Sequence, residues 1–597
     1  MATLTNTKIK DTYDGLLKTA DNDVIGASEK NITDGLGNAT VLSIGTGSAS
    51  FTSDIEVNGL TIGKGNGSIT QNTAIGVQAL FDNIDGQFNT AVGYNTLGAN
   101  TSGDHNVAVG YLSLYNNTTG LRNVAIGTNS LSSNQSANDN IAIGYDSLNF
   151  NTTGANNSSL GSSSLFKNTT GSQNTAVGYL SLYNNTTGSQ NTALGSNALQ
   201  DNTTGQHNTA VGYTSLNNNI DGADNTAVGY SSLYTNTSGS QNVAIGRQAL
   251  LSNTTGGSNT AIGYVSLAGN ITGINNTAVG RASLYANTGS YNTALGAYSL
   301  LDNTTGSNNV AVGYNSLVEN LTGLYNTAIG VSTLGDNTSG SGNVAVGYQA
   351  LRINTASENT AVGKEALTYN TTGSRNVAVG KDALRNNVTA NGNTAVGYES
   401  MLQNTSGAYN SAFGGDSLRS NLVGGFNSAL GNSALRDNLT GDKNTAIGES
   451  ALANNLSSDS NTAVGYRALY TSEGAYNTAI GSQSLDDNTT GGFNSAIGYN
   501  SLSNNTTGSY NISIGVNSLL SNADGDRNVA VGYAAGDSKT SGDDNIYIGY
   551  NADGSAATTS NEIVIGSTAT GNGSNTATYG NASIVEHHFT AGDVYMN

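Results

Sequence analysis

Hydrophobic and polar positions along this chain recur in one short sentence. The stretch Asn174 to Gln190 reads NTAVGYLSLYNNTTGSQ, and close variants of it fill most of the sequence. Its Gly serves as a ruler, falling at Gly76, Gly93, Gly110, Gly127, Gly144 and Gly161 and onward to Gly549 and Gly566. Successive ruler glycines are 17 residues apart, apart from three pairs at 16: Gly280 and Gly296, Gly347 and Gly363, Gly465 and Gly481. This makes about thirty coils. In each short coil the missing residue lies in the NTTG part, as in YANTGSY (Tyr285 to Tyr291) beside YNNTTGSQ (Tyr183 to Gln190). A surface turn can lose a residue without disturbing register and a paired strand cannot, so the spacing separates strand from loop.

Numbering the coil from its first Asn, positions two to four form a short β-branched run closed by Gly, which predicts a strand. Alternation with period two puts the second and fourth positions on one face and the Ala between them on the other. The ninth position is Leu in nearly every coil, with Met401 a substitute. A second short strand around that Leu is expected, facing the aliphatic fourth position. The predicted coil core therefore pairs Val92 with Leu97, Val177 with Leu182 and Val211 with Leu216. In NTTG the Gly can take positive φ and the Asn can bond nearby backbone, as a turn requires.

Asn, Thr and Gly at this density form helices poorly, and no apolar stripe of period 3.6 survives. The expected fold is all-β: a solenoid whose 17-residue coils stack at the inter-strand spacing, about 140 Å for thirty rungs. The chain has no proline, in keeping with coils that are central rungs, where a lost N–H breaks the ladder. Such a coil has a thin core. The third position is Ala almost throughout, with Ser159 and Ser513 as small substitutes. That column, including Ala91, Ala176, Ala193 and Ala210, is read as the close contact with a neighbouring chain, most simply in a parallel homotrimer.

Composition narrows the class. Hydrophobic residues make up 36% and charged ones 10%, both below the usual share of a globular domain. The polarity comes from Asn, Thr, Ser and Gly, so the chain reads as ordered but not globular. A net charge of −20 argues against binding nucleic-acid phosphates and suits a long solvated surface. Without cysteine there are no disulfides or thiolate metal sites. The start, MATLTNTKIKDTYDGLL, shows no Sec-type signal peptide, and no run of about twenty apolar residues predicts a membrane helix.

The phrase Asn, a small or β-branched residue, then A-[IV]-G resembles the head repeats of trimeric autotransporter adhesins, the YadA-like left-handed parallel β-roll. The resemblance covers about Gln71 to Gly580. The family's phrase is one residue longer between Asn and Ala, and its repeat is usually 14 residues, a spacing that occurs here once, from Gly566 to Gly580. The N-terminal TKIKDTYDGLLKTADNDVIGASEKNITDGLGNATVLSIGTGSASFTSDIEVNGLTIG and the final SIVEHHFTAGDVYMN are similar to segments flanking the shafts of tail fibres of tailed phages, especially marine ones. These resemblances imply a fibre in the virion that holds a receptor-binding tip towards the host. Its partners would be its own copies, tail or baseplate proteins at the N-terminal region, and a host glycan or protein at the C-terminal end. No cofactor and no membrane insertion are expected. A bacterial adhesin of the same repeat class, at the cell surface or outside the cell, and a polysaccharide-degrading fibre are the alternatives.

Three regions follow: an attachment or capping region over 1–70, a shaft over 71–566 and a C-terminal cap or transition segment over 567–597. Lys8 to Lys18 could form a short helix, and Ser50 to Ile62 a strand pair capping the first coil. Near the other end the ninth-position Leu is lost at Gly536, and the bulkier IYIG (Ile546 to Gly549) and IVIG (Ile563 to Gly566) appear. Among candidate site residues, the residue after the ruler Gly is Tyr in about half the coils, including Tyr94, Tyr111, Tyr145, Tyr179, Tyr213 and Tyr230. Such a row could stack on sugars or simply cover neighbouring backbone. The recurring Asn columns predict stacked amide ladders. His105, His207, His587 and His588 are the only histidines, and carboxylates such as Asp82, Asp85 and Asp139 keep no fixed pairing, so no catalytic or metal site is named.

Overall fold

The computed structural model describes residues 54–58, 60–65 and 69–584, together with the backbone of short strands at 18–19, 30–33, 39–44 and 49–51. The chain divides into two compact units, 1–261 and 262–597. In the first, β1 (Lys18–Thr19), β2 (Lys30–Thr33), β3 (Ala39–Ile44) and β4 (Ala49–Phe51) form an antiparallel sheet. The helix expected from Lys8 lies outside the described residues up to Leu17, and Lys18 opens a strand. A hairpin of β5 (Ile55–Val57) and β6 (Leu60–Gly63) follows and lies antiparallel against β7 (Thr73–Ile75). It covers the edge that the first coil would otherwise leave open.

From β7 onward each coil contributes one three-residue strand at positions two to four. Within each unit a strand pairs in parallel and in register with the next, as in Ala91 beside Ala108 and Ala176 beside Ala193 in the first. The second unit repeats the arrangement, with Ala361 beside Ala378. The 16-residue coil between Ala463 and Ala479 keeps the same register. It does so because the turn absorbs the loss. In a full coil Asn185 Nδ2 reaches the carbonyl of Gly188, three residues on, and in the short coil Asn287 Nδ2 reaches Gly289, two residues on. The fold is thus a parallel β-solenoid of about thirty 17-residue turns, with no helix among the described residues.

Two expectations are corrected. The segment around the ninth-position Leu is not a strand: its residues bond to adjacent coils, as Leu182 N–H does to the carbonyl of Ala198 at 3.0 Å, but through turns. Positions seven and nine are left-handed, with φ near 55° at Leu180 and 50° at Leu182, a conformation no strand contains. The second correction concerns which strand face is inside. Ala91, Ala176, Ala193 and Ala210 are fully buried within their own chain, so they are core and not contacts with a neighbour. Val92 and Val211 are half-buried and Val177 is 36% exposed, all pointing outward. Leu97, Leu182 and Leu216 do lie fully in the core.

The interior explains the small residue. The third position faces the eighth, as the two exceptions show. Where Ser159 replaces Ala, its hydroxyl meets Ser147 Oγ at 2.7 Å and Ser164 Oγ. Ser513 meets Ser501 and Ser518 in the same way, at 2.7 and 2.6 Å. Little more than a methyl fits between these columns, and a hydroxyl fits only because small polar partners stand ready. The ruler Gly is equally constrained. Gly178 has φ 134°, and a Cβ there would lie 2.5 Å from the carbonyl oxygen of Gly195.

Opposite the Ala and Leu columns the core is polar. First-position Asn174 accepts the N–H of Asn191 on Oδ1 at 3.0 Å and donates from Nδ2 to the carbonyl of Gly188 at 2.9 Å. Twelfth-position Asn185 donates to Asn168 Oδ1 at 2.7 Å and to the same Gly188 carbonyl at 2.9 Å. Both residues are fully buried. Each amide hands its bond to the next coil, so a buried polar column is satisfied wherever Asn follows Asn, and it is interrupted at Asn455 and Asn522, where Ser472 and Lys539 follow.

Candidate functional site

With Ala inside, the second and fourth positions form the outer face of the sheet. The second column holds Thr, Val, Ile or Ser and the fourth Val, Ile or Leu, with Phe413 as the aromatic exception. Neither column carries a charge in any coil from Thr73 to Ile565. In the first unit Ile126, Leu160 and Leu194 are 38%, 47% and 39% exposed. All-parallel sheets are ordinarily covered on both faces, and an exposed apolar column running beside an uncharged one marks an interaction site. Sequence reasoning found these columns and placed them on the wrong side.

Beside this face, at the corner after the ruler Gly, stand the tyrosines. Tyr94 stacks on Tyr111 with ring centroids 5.4 Å apart, and Tyr213 on Tyr230 at 5.5 Å. Such pairs cover each other's faces and leave edges and hydroxyls to solvent, so they brace adjacent coils more than they offer flat platforms. Tyr145 and Tyr179 differ: Thr128, Ser162 and Ser196 occupy the same position in the flanking coils, and both rings are 57% exposed. Cations can replace a ring in the column. Arg247 lies over Tyr230 at 5.5 Å in the first unit, and Lys381 over Tyr398 at 5.0 Å in the second.

A second aromatic column, at the seventeenth position, was missed in the sequence. Tyr476, Phe493 and Tyr510 stack in turn at 4.9 and 5.0 Å, and Tyr409 stacks on Phe426 at 5.3 Å. Its signal was present in the residue preceding each strand's Asn, but varied composition hid it: the position also holds Gln, Asp, Arg and Ser.

In the second unit ion pairs join coils over Glu365 to Arg419. Arg385 pairs with Glu365 at 2.9 Å and Arg419 with Glu399 at 2.7 Å. The Tyr398 hydroxyl, together with Arg419, holds the Glu399 carboxyl below the usual range against the opposing effect of burial. Arg122 does the same for Asp139. His105 stacks on Phe88 at 4.8 Å and His207 pairs with Asp224 at 3.2 Å, while His587 and His588 lie outside the described residues. Among the described residues no three His, Asp or Glu side chains gather where they could hold a metal. No helix there is long and apolar enough to cross a membrane. No known family model matches the chain, and no curated protein matches it either.

Proposed function

We propose that this protein is the shaft of a phage tail fibre, a non-enzymatic structural element in which three parallel copies associate to hold a receptor-binding tip towards a host cell. One observation carries the reading: the outer strand face is uncharged and repeated in every coil, an apolar fourth column beside a second column of Thr, Val, Ile or Ser. A second copy presents the same columns at the same rise, so the face is complementary to itself along its length. Eleven such rungs lie between Thr73 and Ile245 in the first unit alone, a repeated surface that suits an interface needing about 800 Å² from each partner. Repeated coils then set the reach of the fibre, and its N-terminal region would join the tail. Sedimentation of the purified chain tests the assembly, with a mass of three chains expected and a stable monomer overturning it. Labelling the assembled virion with antibody against the repeat tests the placement, with decoration of fibres expected and unlabelled particles counting against it.

A further inference from the structure

Near the C-terminal end of the second unit the interior changes its chemistry. Lys539 stands at the twelfth position and Glu562 at the first, in columns that carry Asn in nearly every other coil. The Lys539 and Glu562 side chains are 2% and 0% exposed, with Nζ 3.6 Å from Oε2. Tyr547 replaces the third-position Ala, fully buried. Its ring takes the room left by Gly536 at the ninth position, where a Cβ would lie 2.7 Å from Tyr547 Cδ2. The Lys539 Nζ lies 5.4 Å from the centre of that ring. It donates to the carbonyl of Ala556 at 2.6 Å and touches the Thr559 hydroxyl. That hydroxyl in turn donates to Glu562 Oε2 at 2.7 Å. Glu562 Oε1 accepts the N–H of Gly573 at 2.9 Å and that of Ser555 at 3.5 Å.

An ion pair is a costly way to finish a neutral core. Desolvating both charges offsets much of their attraction, and a hydrophobic or amide pair would serve packing as well. The ladder is also broken here, since Asn522 Oδ1 is left buried and unpaired where the next twelfth-position Asn would have donated. What the arrangement does provide is an amine, a carboxyl carbon, a hydroxyl touching both and N–H donors on the remaining oxygen, all out of water.

We propose that Lys539 and Glu562 condense to an amide that staples three successive coils at this end of the repeat. The ammonium gives one proton to the carboxylate, directly or across the Thr559 hydroxyl. The neutral amine adds to Cδ, with the developing charge on Oε1 held by the N–H groups of Gly573 and Ser555. The Nζ–Cδ bond forms and one Cδ–O bond breaks. The departing oxygen leaves as water with the carboxyl proton and one proton from nitrogen, so no further reactant is needed. Burial pushes the Lys539 amine down from its ordinary value against the pull of Glu562 and Asp553, which favours the neutral nucleophile. Against burial, the Gly573 N–H and the Thr559 hydroxyl hold the Glu562 carboxyl below its usual range, which opposes its protonation. Terminal coils have a neighbour on one side only and open first, so a covalent tie is most useful here.

The intact mass of the purified, denatured chain tests this. A chain one water lighter than its sequence is expected, with the Lys539 and Glu562 peptides joined after digestion. K539R keeps the charge but should restore the full mass. Amide exchange at 546–548 and 563–565 in that variant should be faster by on the order of tenfold to a hundredfold, because the cross-link no longer restrains opening. A wild-type chain of full mass with the two peptides separate overturns the proposal, and this reading does not depend on how any variant folds.

Discussion

Ala176 is fully buried within its own chain, and between Ala74 and Ala530 the two departures from Ala in its column, Ser159 and Ser513, are both Ser. Ala176→Leu should therefore overpack the coil and cost about 1–3 kcal/mol. Ala176→Ser should cost less, since Ser164 and Ser181 can take the hydroxyl as Ser147 and Ser164 take that of Ser159. Amide exchange of 175–177 and its two flanking strands reads the difference, and equal protection in both variants would count against the packing account. Asn174 makes a sharper case because its amide both donates and accepts. Asn174→Asp keeps the acceptor for Asn191 N–H, loses the donor to Gly188 and puts a carboxyl in the dry interior. Burial raises the folded pKa of such a carboxyl. Its neutral form is tolerated below the unfolded value, and stability is lost as pH rises from there through the folded value. The variant should thus be least stable at neutral pH, by about 1–3 kcal/mol for the unsatisfied group, and should recover towards pH 4. Unfolding followed from pH 4 to 7 checks the sign.

At the scale of the element, the coil is a strand of fixed length joined to a turn with slack. Deleting Thr187 should leave the ladder intact, because Asn185 can then reach its Gly two residues on, as Asn287 does in a natural short coil. Deleting Ser181 instead pulls Leu182 out of the core and breaks register with both neighbours. Circular dichroism and protease resistance should stay near wild type in the first case and fall in the second. Ion pairs add a pH-dependent tie between particular coils. The Glu399 carboxyl has a folded pKa below its unfolded value, so its contribution is present above the ordinary Glu range and lost as pH falls through the folded value. Exchange at 394–396 and 411–413 should quicken on acidification, and Glu399→Gln should remove that step. The effect is small at a partly exposed site.

For the whole molecule, repetition makes stability a sum of coils and their interfaces with neighbours, and it makes any outward column an extended stripe. If that stripe joins copies, Val177→Lys with Leu194→Lys and Val211→Lys should separate the chains without unfolding the coil, since each side chain already points to solvent. Sedimentation should show lighter species while circular dichroism is preserved. Retention of a trimer by this triple variant would move the interface elsewhere.

Much of this was legible in the sequence, for reasons particular residues show. The spacing of Gly76 to Gly566 determined the coil and its parallel register, because a paired strand tolerates no slip. The ninth-position Leu, kept in nearly every coil, marked the core, the absence of proline fitted a continuous ladder, and the recurring Asn pointed to amide ladders. Only the tertiary structure decided which face of the strand turns inward. Alternation defines two faces equally well, and the bulkier Val177 face reads as the core, whereas the space between the third and eighth positions is narrow and is filled by small residues through most of the shaft. Leu182 likewise gave no sign of its left-handed backbone, which replaces the expected second strand, because branched apolar residues seldom take that conformation alone. It is sustained here by bonds to the coils above and below, and neighbours in space are what a local pattern does not contain.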